Sequence, residues 1–141
     1  MDFTYPTEIR FACSRCGLCC GDTKQRTRHI LVLKNEAEKI ASHTGQLVTD
    51  FAIEIAGNDP YIYEMKKTDE GKCFFLKDNQ CSIYALRPLI CRFYPFELKF
   101  DQDKNLHVFN FTFECPGIGK GKMLVRKDFE ALFLLARERL P

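Results

Sequence analysis

The sequence predicts an α+β fold: one small domain of short helices, a small antiparallel sheet and cysteine-bearing loops stapled by metal. Three observations carry this reading. Apolar residues alternate over short stretches bounded by turn residues, as strands require. One C-terminal segment repeats its apolar positions at helical spacing. Of the eight cysteines, four crowd into one loop, Cys13 to Cys20, that has little apolar material of its own, and metal supplies the order of the cysteine-bearing loops.

His29-Ile30-Leu31-Val32-Leu33 reads as a short strand. Asn35 is placed to cap a helix over Glu36–Ala41, stopped near Gly45. Thr49 or Asp50 caps a second helix from Phe51 to Ala56, ending at Gly57. Tyr61–Lys66 alternates like a half-buried strand, Asp69-Glu70-Gly71 turns, and Cys73-Phe74-Phe75-Leu76 reads as its partner. Lys77-Asp78-Asn79 leads back to Cys81, and Arg87-Pro88 marks a helix boundary or the start of a single turn. Phe96, Leu98 and Phe100 form one arm of a hairpin, Asp101–Asn105 its loop and Leu106–Phe113 the other arm. A helix over Arg126–Leu140 places Phe129, Leu132, Phe133, Ala136 and Leu140 on one face, with Arg137 and Arg139 suited to its C-terminal end.

With 141 residues, a single domain over 1–141 is expected, and 13 phenylalanines supply much of its core. A net charge of +2 is too mild to imply nucleic acid or a membrane surface, and no stretch is apolar for long enough to span a bilayer. The opening Met1-Asp2-Phe3-Thr4-Tyr5-Pro6 lacks the basic start and apolar run of a secretory signal. The expected location is the cytoplasm, with thiols kept reduced unless a metal holds them.

The chemistry lies in Cys13-x2-Cys16-x2-Cys19-Cys20, followed by Cys73-x7-Cys81-x9-Cys91 and a distant Cys115. The C-x2-C spacing lets sulfurs converge on one centre while turned backbone amides stabilise thiolate charge. C-x2-C-x2-C is similar to a bacterial ferredoxin run, in which close sulfurs grip separate corners of a cluster. All eight cysteines are therefore candidate ligands, for one site or two, and metal ions are the expected partners. Iron–sulfur, with 4Fe–4S favoured, and zinc both suit an all-sulfur donor set. A disulfide framework disagrees with the absent export signal and with four thiols crowded into one loop. Late cysteines, Cys73 especially, also admit a reading as core packing. Adjacent Cys19 and Cys20 point to opposite sides of an extended chain, which divides them between two centres.

Arg87 and Arg92 bracket Cys91; a guanidinium there either meets cluster sulfurs or pins the Arg87-Pro88 turn. His29, His43 and His107 are scattered, the last two expected at the surface. Gly117-Ile118-Gly119-Lys120-Gly121-Lys122 fails the phosphate-loop spacing and reads as a solvated loop. No catalytic constellation can be picked out, so catalytic residues stay unassigned.

The ordered set Cys13-x2-Cys16-Gly17-x-Cys19-Cys20, Cys73-Phe74-Phe75-Leu76, Cys81-Ser82-Ile83-Tyr84, Arg87-Pro88-x2-Cys91-Arg92-x-Tyr94-Pro95 and Cys115-Pro116-Gly117 resembles the CxxCxxCC cysteine-cluster family (YkgJ-like) over nearly the whole chain. The resemblance implies zinc or iron chelation. That family includes flagellin lysine N-methylases, so the resemblance also leaves open a metal-dependent protein-modifying enzyme with a protein substrate. The other open readings are an iron–sulfur protein for redox, sensing or support of a partner enzyme, and a zinc-stapled interaction module.

Overall fold

The computed structural model describes residues 3–13, 20–24 and 26–140. In chain order its elements are β1 (Phe3–Thr4), β2 (Arg10–Phe11), β3 (Leu31–Val32), α1 (Lys34–Thr44), α2 (Val48–Phe51), β4 (Ala52–Glu54), β5 (Tyr63–Met65), β6 (Leu76–Lys77), β7 (Gln80–Cys81), a 3-10 turn (Tyr84–Leu86), α3 (Leu89–Phe93), β8 (Phe96–Asp101), β9 (Leu106–Phe111), β10 (Ile118–Met123) and α4 (Arg126–Arg139). This is a mixed α+β chain with several small sheets. Every described strand pair is antiparallel except β1 against β9, which is parallel. No helix among the described residues is long and apolar enough to cross a membrane. The chain divides into two compact units: Arg15–Arg92, and the two chain ends, Met1–Ser14 with Phe93–Leu140.

The unit formed by the chain ends is an aromatic core between a sheet and a helix. β8 and β9 pair with Phe96 opposite Phe111, Leu98 opposite Phe109 and Phe100 opposite His107. Residues two apart share one face of a sheet, and this face packs on the buried side of α4. Phe129 is fully buried and meets Tyr5, Phe96 and Phe109 at ring separations of 5.1 Å. Phe133 stacks on Phe3 and meets His107 edge-on. His107 was expected at the surface; cross-strand pairing with Phe100 places it half-buried among aromatic rings instead. The segment Gly117–Lys122, read as a loop, contributes to β10, which pairs with β2. Lysines separated by glycines hide a strand from a reading based on apolar alternation.

The Arg15–Arg92 unit is built on Ile30, Val32, Ala37, Ile40, Phe51, Ala52, Met65, Cys73, Phe75 and Ile83. α1 starts two residues earlier than the Glu36–Ala41 reading and runs on to Thr44, ended as expected by Gly45 in the left-handed conformation at φ 71°. Its N-cap is Leu33, not Asn35: the Glu36 carboxylate, three residues on, accepts the Leu33 N–H at 3.0 Å. α2 repeats the device, with Asp50 accepting the Leu47 N–H at 2.9 Å. The helix expected over Phe51–Ala56 is a correction, because α2 ends at Phe51 and Ala52–Glu54 becomes β4. There Ala52, Ile53 and Glu54 pair with Met65, Glu64 and Tyr63. Burial of Ala52 beside exposed Ile53 is the alternation of a strand.

Candidate metal centre

Cys20 and Cys73 are joined through their backbones: the Cys73 N–H donates to the Cys20 carbonyl. The contact continues as a bridge between Gly21 and Lys72 and a 2.8 Å bond from the Asp22 N–H to the Gly71 carbonyl. This approach depends on glycine. A Cβ on Gly21 would stand 2.8 Å from the Gly71 oxygen. One on Gly71, at φ +77°, would stand 2.8 Å from the Asp22 carboxylate. Asp22 locks the junction by accepting the Arg28 N–H at 2.7 Å and the Lys67 ammonium at 2.9 Å. Those bonds, the Arg28 N–H foremost and Lys67 next, hold the Asp22 carboxyl below its ordinary range.

Cys73 is 6% exposed and belongs to the core of its unit. Its Sγ accepts the Phe75 N–H at 3.5 Å, and its carbonyl accepts the Leu76 N–H at 3.0 Å. The strand expected over Cys73–Leu76 is reduced to an antiparallel bridge from Cys73 to Lys67 and a 2.9 Å bond from the Phe74 N–H to the Lys66 carbonyl. The chain then turns at Phe74-Phe75, and Leu76 belongs to β6, paired with β7. Cys81 lies on β7 opposite Leu76, across a turn in which Asp78 and Asn79 both take positive φ. Phe75 O accepts both the N–H and the hydroxyl of Ser82, fixing the chain just beyond Cys81. Cys91 is carried by α3, its N–H donating to Pro88 O at 3.0 Å. Cys20, Cys81 and Cys91 are partly buried and pack against the core that contains Cys73. Four cysteines from separate stretches of chain therefore gather about one apolar core, with Phe74 and Phe75 meeting edge to face at 5.0 Å beside them.

Cys13 and Cys115 belong to the other unit. Cys13 is exposed and Cys115 buried. Their segments run side by side through the 3.1 Å bond from the Ala12 N–H to Gly117 O, and Cys115 O accepts the Ile118 N–H. Cys16 and Cys19 lie outside the described residues, as does the division of Cys19 from Cys20. Among the described residues, no three Cys, His, Asp or Glu side chains converge on a position for one metal ion.

The two arginines beside Cys91 pin the backbone. Arg92 donates to Ala85 O at 2.7 Å and to Arg87 O at 3.1 Å. Arg87 donates to Tyr84 O at 2.9 Å and lies over the Tyr84 ring. The histidines have local roles: His29 pairs with Glu64 at 2.9 Å, and His43 bonds the Lys39 carbonyl. Sequence reasoning missed Glu36. It is buried, and besides the Leu33 N–H it accepts the Leu89 N–H at 2.6 Å. Its signal was an acid three residues after an apolar N-cap, a pattern that Leu47/Asp50 and Val125/Asp128 repeat.

Eight cysteines, soft potential donors, on a small α+β scaffold are the composition of a metal-chelating cysteine domain. The chain belongs to the CxxCxxCC family, described as "Putative zinc- or iron-chelating domain", which it matches over residues 12–115. It is also similar to an uncharacterized protein of Methanocaldococcus jannaschii, with 32% identity over 127 residues, covering 84% of this chain. The chain spans 65% of that relative's length. No solved structure matches.

Proposed function

We propose that the chain is an iron–sulfur protein, its cluster serving redox, sensing or support of a partner enzyme. The observation that carries this reading is the gathering of Cys20, Cys73, Cys81 and Cys91 about one core, with an amide N–H already directed at the Cys73 sulfur. Thiolate donors suit a 4Fe–4S cluster, and Cys16 and Cys19 are further donors from the neighbouring stretch of chain. When bound, such a cluster supplies a one-electron couple. The residues of this chain supply its surroundings. The Phe75 N–H stabilises negative charge on the Cys73 sulfur; Phe74, Phe75 and Ile83 exclude water; the Asp22–Lys67 pair holds Cys20 against Cys73.

The test is anaerobic purification after expression with adequate iron. The expected product is brown, absorbs broadly in the visible from sulfur-to-iron charge transfer, and contains iron with acid-labile sulfide. Zinc at full occupancy without sulfide overturns the reading. It would favour the second reading, a zinc-stapled module, which the same thiolates and the family description support.

A further inference from the structure

We infer that Glu36 is a positioning residue for the metal centre: its buried carboxylate fixes the start of the helix that carries Cys91. The inference rests on the metal-binding reading of the cysteines and adds a residue outside their motifs.

Glu36 is 6% exposed, and its two oxygens serve different elements. Oε1 accepts the Leu33 N–H and completes the start of α1. Asp50 does the same task for α2 at an exposed position, so capping alone does not call for burial. Removing a carboxylate from water is costly unless several donors compensate it. The second donor is the Leu89 N–H, 53 residues away in sequence.

That donor has a particular place. Pro88 is fully buried and has no N–H, so Leu89 offers the first amide of α3. α3 has five residues, too few to hold itself by internal hydrogen bonding. Cys91 follows two residues later. The preceding turn is held from its carbonyl side by Arg92 on Ala85 and Arg87. Glu36 holds the amide side. The carboxylate thus ties Cys91 to α1, whose Ala37 and Ile40 lie in the same core as Cys73. A shift of α3 would carry the Cys91 sulfur away from that shared core.

Glu36→Gln keeps the size of the side chain but leaves one carbonyl oxygen where two acceptors stood. In protein loaded anaerobically with ferrous iron and sulfide, it should speed loss of iron to a chelator about tenfold, the scale at which outer partners of metal ligands act. Asp50→Asn, the same change at an exposed cap, should leave that rate unchanged. In a Cys91→Ser background, Glu36→Gln should add nothing, because the residue acts through Cys91. Equal effects with and without Cys91 overturn the inference. Coupling is reciprocal, so wild-type protein offers a check that needs no variant: loading should slow hydrogen exchange at the Leu89 amide and leave Leu47 unaffected. Unchanged Leu89 exchange in protein that does take up iron also overturns it. Failure of the wild type to take up iron or zinc instead overturns the metal-binding reading itself.

Discussion

Cys73 illustrates what a residue's type and spacing can and cannot convey. Its place in a cysteine series was legible, but the sequence offered both a ligand and a packed core thiol. The structure combines the attributes: the residue is buried, and its sulfur already accepts an amide N–H. Cys73→Ser is expected to remove most bound metal at little cost in packing, read by metal analysis of folded protein. Gly71 makes a sharper stability prediction. Alanine there would take up a left-handed conformation and press on Asp22. The expected loss is about 1–2 kcal/mol in chemical denaturation. A smaller loss would mean that the Cys20–Cys73 junction relaxes without glycine. At Arg92, adjacency to a cysteine left open a contact with sulfur or a role in the turn, and its guanidinium donates to the Ala85 and Arg87 carbonyls, which shape the turn.

Elements were legible where apolar period and turn chemistry agreed. The β8–β9 hairpin and α4 follow the expected alternation and helical face, and Gly45 ends α1. The starts of α1 and α2 were misplaced because polar caps were sought, whereas α4 begins at Arg126 as expected. All three helices begin after an apolar residue, Leu33, Leu47 or Val125, with an acid reaching back from the third position. Asp128→Ala should therefore cost about 1 kcal/mol, measured by thermal or denaturant unfolding. Across elements, Tyr61 reports on Glu36. Its phenol is pushed above 10.0, first by burial and second by the negative charge of Glu36. A raised folded pKa means that the unfolded chain loses this proton first. The corresponding stability is complete below pH 10 and declines as pH rises through the folded value. Comparing alkaline absorbance titrations with a Tyr61→Phe control should show Glu36→Gln moving the phenol only partway toward its ordinary value, since burial persists.

At the scale of the whole molecule, the division into two units was not legible, because one of them joins the two ends of the chain, Met1–Ser14 and Phe93–Leu140, around the continuous stretch Arg15–Arg92. The Cys13 and Cys115 segments meet in one unit, whereas Cys20, Cys73, Cys81 and Cys91 share the core of the other. Their energetics differ accordingly. The chain-end unit has a dense aromatic core around Phe129, and Phe129→Ala should cost about 3–5 kcal/mol with or without metal. In the Arg15–Arg92 unit, the stretch after Cys20 is held by the Gly21–Lys72 bridge, the Asp22 bonds and the Thr23–Arg26 bridge. It contributes no apolar residue to the core until Ile30. A ligand at Cys20 would reinforce this polar attachment. Removing metal should therefore expose Lys24 and Arg26 to trypsin before Arg137 and Arg139 in α4 become accessible. Timed digestion with and without chelator, followed by mass spectrometry, distinguishes the two sets of sites. Early cutting at Lys24 and Arg26 only in the metal-free protein would tie order in this segment to metal, whereas identical digestion in both states would show that its polar bonds suffice.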